Sequence, residues 1–226
     1  CKVFPHETEE TAVARLWTEI LRAVRVSEES DPVAAWKEHV SALQKTADFL
    51  NAHDFLELHY RNGLGTDLHV ELPKGHIWMG GAERAASGTM FVANIPTEEV
   101  YTLPKRDGVN GVVVASKPLH YNGNLIAGFS LTFRAGKVTD YHAESGEEHL
   151  RELLQTDEGA SFLGEVALVP HASPISASGI LFYNTLFDEN ASCHLALGKA
   201  YPTCIRGGDG MTEEELLRHG VNHSLV

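Results

Sequence analysis

The sequence predicts an α+β protein: a β-rich mixed domain with helices at its edges, preceded by a helical segment that belongs to an N-terminal domain. Three observations lead there. Apolar residues recur at three- and four-residue spacing over the first fifty positions, the period falls to two from Phe55, and turn signals punctuate the alternating runs. At 226 residues, 43% of them hydrophobic, the chain is long enough to bury a core without disulfide or metal staples. The expected division is 1–54 for the helical segment and 55–226 for the β-rich domain, which is incomplete at its C-terminus.

The elements follow in order. Val13, Leu16, Ile20 and Val24 form a helical stripe with acids in the first turn. A second helix is announced by Asp31 as N-cap and Pro32 at the first helical position, with Val33, Trp36, Val40, Leu43, Ala47 and Leu50 as its apolar face. "SEES" joins the two. "FLELHYR", "TDLHVEL", "TMFVAN", "GVVVAS" and "NLIAGFSLTFRAGKVTDYHA" alternate as strands, with tight turns at Asn122-Gly123 and at Gly136. Ser145 caps a helix carrying Leu150, Leu153 and Leu154, because Glu148 stands three residues on. "FLGEVALV" is a strand, "PHASPIS" is turn-rich, and helical pieces are expected near 190–200, with Asn190 as N-cap, and at 212–219. "RGGDG" at 206–210 reads as a loop.

Charge narrows the function. With 31 acidic against 18 basic residues, the formal charge of −13 repels phosphate backbones and anionic membranes, which argues against nucleic acid and membrane as partners. A cationic or neutral substrate, or a divalent metal, suits the field. Three cysteines (Cys1, Cys193, Cys204) form no CxxC pair, the usage of a reduced cytoplasmic protein. No apolar run reaches membrane-spanning length. "CKVFPHETEE" has neither a signal-peptide pattern nor an initiating methionine and reads as a chain already in progress.

Four places carry candidate chemistry. Asp67, His69 and Glu71 alternate with Leu68, Val70 and Leu72, so one strand face presents a carboxylate–His–carboxylate set; a half-buried antiparallel strand produces the same alternation with no ion. Glu98 and Glu99 are adjacent in an extended segment and point to opposite sides, either around a site or in an exposed turn after Pro96. Glu165 stands alone among small and apolar neighbours, which is costly unless it is paired, metal-bound or on an edge facing water. His194, in "NASCHLALG", is either a buried structural histidine or a ligand carried on a helix of small residues. Carboxylates and imidazole suit zinc, cobalt or manganese, but the spacing of Glu99, Glu165 and His194 alone leaves a metal site open. Serine-hydrolase, HExxH, Walker and dinucleotide fingerprints are absent, and Cys193 beside His194 is a poor nucleophile–base pair.

Longer strings add a resemblance. "NGLGTDLHVELPKGHIWMGG", "NIPTEEVYTLPKRDGVNG", "EVALVPHASPISASGILFYNTLFDENASCHLALGKAY" and "GVNHSLV", in this order, resemble the thermophilic-type metalloaminopeptidases, the aminopeptidase T and PepS group. The resemblance implies a cytoplasmic, homodimeric exopeptidase that uses two divalent metal ions (zinc, cobalt, manganese or magnesium) to remove N-terminal residues from peptides with a free N-terminus. It implies that Glu99, Glu165 and His194 are metal ligands, that Tyr201 in "GKAY" is an active-site tyrosine, and that Glu98 is a general base. Members of the group continue past the "N-x-S-L/V" string with His-Val-Asp, which supplies two more ligands; this sequence ends at Val226, so three of five ligands are expected here. The competing expectations are a catalytically silent fragment or oligomerisation module that keeps the fold, and a binding module built on the Asp67–His69–Glu71 face.

Overall fold

A computed structural model describes residues 2–28 and 31–226; Cys1 and the last two residues of "SEES" lie outside the described residues. In chain order the elements are helices α1 (Glu9–Ala23) and α2 (Pro32–His53), then strands β1 (Glu57–Arg61), β2 (Asp67–Glu71), β3 (Glu83–Arg84), β4 (Met90–Phe91), β5 (Val100–Thr102) and β6 (Val109–Val114). They continue with β7 (Leu119–Tyr121), β8 (Asn124–Ile126), β9 (Ser130–Arg134), β10 (Lys137–His142) and helix α3 (Glu147–Leu154). Strand β11 (Leu163–Leu168), helices α4 (Pro174–Ser178) and α5 (Thr185–Glu189), strand β12 (His194–Leu197) and helix α6 (Glu213–Arg218) complete the chain. The α+β expectation holds.

These elements make two compact units, each from three segments. The first comprises Cys1–Phe49, Gly80–Val100 and Leu168–His194. Thr8 caps α1 by accepting from Thr11, and Asp31 caps α2 by accepting from the Val33 and Ala34 amides (2.9 and 3.3 Å). α1 buries Ala12 and Ala23 while Val13 and Trp17 stay exposed, so its predicted stripe forms a helix but not its buried face. Ala23, Ile175 and Ala191 form a small core with Phe182 and Phe187 packed on it. Trp36 Nε1 donates to the Val24 carbonyl (2.7 Å), which ties α2 to the end of α1.

The second unit, Leu50–Met79, Tyr101–Ala167 and Leu195–Val226, contains an antiparallel sheet in the order β1–β2–β6–β9–β10. Its inward face is Leu68, Val70, Val109, Leu131, Phe133 and Val138, all buried. Asn122-Gly123 closes the β7–β8 hairpin and Ala135-Gly136 the β9–β10 hairpin, each with positive φ at both central residues, the turn geometry that matches strand twist. Helix α3 buries Leu150, Leu153 and Leu154 as expected, but its N-cap is Gly146 in the left-handed region and not Ser145, which is taken into a bridge with Ala127. Helix α6 has a full capping box between Thr212 and Glu215. The unit also holds most of a three-stranded sheet, β12–β11–β5, and a cluster of Leu103, Ala200, Cys204, Ile205 and Val221.

Candidate metal centre

The expected helix near 190–200 is absent. Asn190 is the C-cap of α5, and His194 opens strand β12. Strand pairing in the β12–β11–β5 sheet overrides the helix-compatible small residues of "NASCHLALG", because the sheet satisfies the backbone of a segment too short to hold a helix alone. The other two candidate ligands stand on the same sheet's strands or next to them: Glu165 on central β11, half-buried between buried neighbours, and Glu99 immediately before β5.

Within the first unit Glu99 and His194 meet. Glu99 Oε2 lies 2.8 Å from His194 Nε2, with side-chain exposures of only 12% and 16%. On its other side, His194 Nδ1 is 3.1 Å from the Ser192 carbonyl, so Nδ1–H donates there and Nε2 faces the carboxylate. A ligating histidine is oriented in this manner, one nitrogen tied to a carbonyl and the other turned to the ion. The contact with Glu99 is close but misaligned: Oε2 is buried and receives no hydrogen bond of ordinary geometry among the described residues. Burial pushes the His194 pKa down, but the Glu99 carboxylate, the Ser192 carbonyl and Glu189 outweigh it and raise it to about 9. Without metal the imidazole is therefore a cation paired with Glu99. Glu189, at the end of α5, is pushed up by burial and by Glu99, with His194 pulling the other way. A carboxylate with a buried, misaligned oxygen, a carbonyl-oriented imidazole and a nearby acid make a donor set that fits a divalent ion.

Glu98 turns away from Glu99. It is 1% exposed, and the Arg25 guanidinium donates to both its oxygens (2.5 and 2.8 Å). Its amide donates to the Asn190 side chain (2.7 Å), and Ser173 Oγ donates to the Asn190 carbonyl (2.9 Å). His39 Nε2 donates to the Thr97 carbonyl (2.7 Å), which leaves Nδ1 to accept from Arg25 Nη2 (3.0 Å). That arrangement is the neutral tautomer, in keeping with a pKa lowered by burial. Arg25, His39 and Glu189 were not singled out in the sequence, and Asn190 only as a cap. Arg25 just after α1 and His39 within α2 belong to no motif, and Asn190 carried the signal of a cap, though for the wrong end of a helix.

Tyr201 lies in the second unit, 56% exposed, edge-on to Tyr101 with ring centroids 6.1 Å apart. Cys193 Sγ donates to the Val169 carbonyl (3.6 Å) and accepts from the Val169 amide (3.5 Å), so backbone contacts occupy the thiol. Asp67, His69 and Glu71 occupy the solvent face of β2, as half-buried alternation predicts.

A family profile described as "Thermophilic metalloprotease (M29)" matches residues 1–226. Among curated proteins, "Aminopeptidase 2" of Geobacillus stearothermophilus is 55% identical over 225 residues, covering 100% of this chain and 54% of that protein. "Aminopeptidase T" of Thermus aquaticus is 49% identical over 224 residues, 99% of this chain and 54% of that protein. Among solved structures, wild-type AmpT from Thermus thermophilus superposes with a TM-score of 0.90 at 47% identity, covering 99% of this chain and 53% of that one. The chain spans about half the length of the curated relatives it matches.

Proposed function

The chain belongs to the thermophilic metalloprotease (M29) family, and on that premise we propose that the whole protein is a metal-dependent aminopeptidase whose ions take Glu99, Glu165 and His194 as three of their ligands. The observation that carries the reading is the largely buried Glu99–His194 pair with its carbonyl-oriented imidazole. Two divalent ions of the zinc, cobalt, manganese or magnesium kind complete the site. Such ions, when bound, acidify a water and polarise the scissile carbonyl.

The chain's own residues do the rest. Ser192 fixes the His194 tautomer, and Asn190 holds the backbone at Glu98, one residue before the ligand Glu99. Tyr201, with its ring largely exposed, donates a hydrogen bond to the developing oxyanion. The resemblance makes Glu98 the general base that would accept the water's proton. A second role for Glu98 is favoured by its geometry: with both oxygens engaged by Arg25, it serves as a positioning carboxylate for Glu99. The substrate is a peptide with a free N-terminus, whose cationic amine suits a chain of charge −13. A cytoplasmic homodimer belongs to the same proposal; among the described residues no helix is long and apolar enough to cross a membrane.

The test is metal content and hydrolysis of a leucyl chromogenic amide by the whole protein, before and after chelation. His194→Ala and Glu165→Gln should each lose metal and cut kcat/KM by more than about a hundredfold. Full turnover after exhaustive chelation, or in His194→Ala, would refute the reading. Tyr201→Phe should lower kcat with KM little changed; an unchanged kcat removes the oxyanion role. A Glu98→Gln variant that keeps its metal but loses kcat supports the base, whereas one that loses metal supports the positioning role.

A further inference from the structure

The solvent face of the β1–β2 hairpin lies in the second unit and takes no part in the proposed chemistry. The register sets His59 directly opposite His69, Arg61 opposite Asp67 and Glu57 opposite Glu71. All six side chains share one face, because residues two apart in a strand point the same way. The two imidazoles stack, centroids 3.9 Å apart and planes 19° from parallel. Each is held by a carboxylate diagonal to it: His59 Nε2 is 2.7 Å from Asp67 Oδ1, and His69 Nδ1 is 2.6 Å from Glu57 Oε1. One ligand atom from each of His59, Asp67 and His69 lies within 4.8 Å of the others.

We infer that His59, Asp67 and His69 form a second metal site, on the surface of this hairpin, for a first-row transition cation of the zinc class. Two imidazoles and a carboxylate are the donor set such ions take, with the remaining position left to water. Adjacent ligand atoms around tetrahedral zinc stand roughly 3.3 Å apart, so the His59–Asp67 contact needs to open only slightly for an ion to replace the shared proton. His69 closes the rest by rotation of an exposed side chain. Glu57 is the outer partner: it takes the Nδ1 proton of His69 and leaves Nε2 with its lone pair. Arg61 stands 3.8 Å from the other Asp67 oxygen, Oδ2, and leaves Oδ1 to the ion. β1 is an edge strand of the five-stranded sheet, and an ion bridging it to β2 clamps that edge.

The experiment is equilibrium dialysis of the whole protein against buffered free zinc, counting ions per chain. A His59→Gln, His69→Gln double variant should bind one equivalent fewer than wild type, and Asp67→Asn should weaken that equivalent at least about tenfold. Hydrolysis of the leucyl amide should be the same in all three. The count is a difference between proteins that share the buried centre, so it stands whether or not that centre proves catalytic. Identical zinc counts in wild type and double variant would overturn the inference. So would a lost equivalent accompanied by lost hydrolysis, since that would assign the ion to the buried centre.

Discussion

Arg25 combines two costs that neither its neighbours nor its type reveal. It follows the C-cap of α1 with φ of 58°, and the amides of Arg25 and Val26 bond back to the carbonyls of Arg22 and Leu21. That is a helix-ending pattern usually built on glycine, and a side chain in it costs about 1 kcal/mol. The strain persists because the same conformation delivers the guanidinium to Glu98, whose charge is 1% exposed and has to be met. Removing one partner of such a pair costs about 3–5 kcal/mol. Arg25→Gly should therefore relieve the backbone yet lower stability by roughly 2–4 kcal/mol net, read from the urea midpoint at constant m-value. A neutral or stabilising Arg25→Gly would mean that Glu98 finds another counter-charge. The sequence showed the adjacent acids and their divergence, since backbone geometry alone makes neighbours in an extended segment point apart. It did not show the arginine 73 residues earlier that meets one of them, because a contact at that separation leaves no local pattern.

Turns were the most legible elements, and the reason is local chemistry. Asn122-Gly123 was recognisable as a hairpin because few other pairs accept positive φ twice in succession. The two hairpin glycines nonetheless differ in what surrounds them. A Cβ at Gly123 would meet nothing, whereas one at Gly136 would overlap the Arg106 carbonyl oxygen. Gly123→Ala should thus cost about 1 kcal/mol, the backbone share alone. Gly136→Ala should cost at least twice as much, because the β9–β10 turn has to move or lose its place beside Arg106. Thermal unfolding of the two variants side by side decides it, and equal losses would show that the Arg106 loop yields freely. The 190–200 segment shows the opposite case. Nothing in "NASCHLALG" alternates in polarity, and the hydrogen bonds that make His194–Leu197 a strand come from β11, some thirty residues earlier in the chain. The same non-locality hid Gly146 as the cap of α3, since Ser145 was drawn into pairing with Ala127.

At the scale of the whole chain, the shifted groups set how stability depends on pH, and they act with opposite signs. Glu147, Asp157 and Glu215 are held below the usual carboxylate range, first of all by the amides of Ala143, Leu225 and Thr212 respectively, and Asp67 by its hydrogen bond from His59. A carboxylate with a lowered folded pKa stabilises above its unfolded value and loses that contribution as pH falls through the folded one. His39, lowered by burial, works in the same direction, because the fold binds it neutral and acid charges it. His194 works the other way. With a folded pKa raised to about 9 despite its burial, its contribution is complete below the ordinary histidine value and is lost as pH rises toward 9. Metal-free protein, held in chelator, should therefore be most resistant to urea near neutrality, lose stability in acid below about pH 5, and lose it again between about pH 7 and 9. His194→Gln should abolish the alkaline decline and keep the acid one. An alkaline decline that survives this substitution would show that the Glu99–His194 charge pair is not its source. Saturating metal should flatten the same limb in wild type, because an ion takes the place of the proton that His194 otherwise loses.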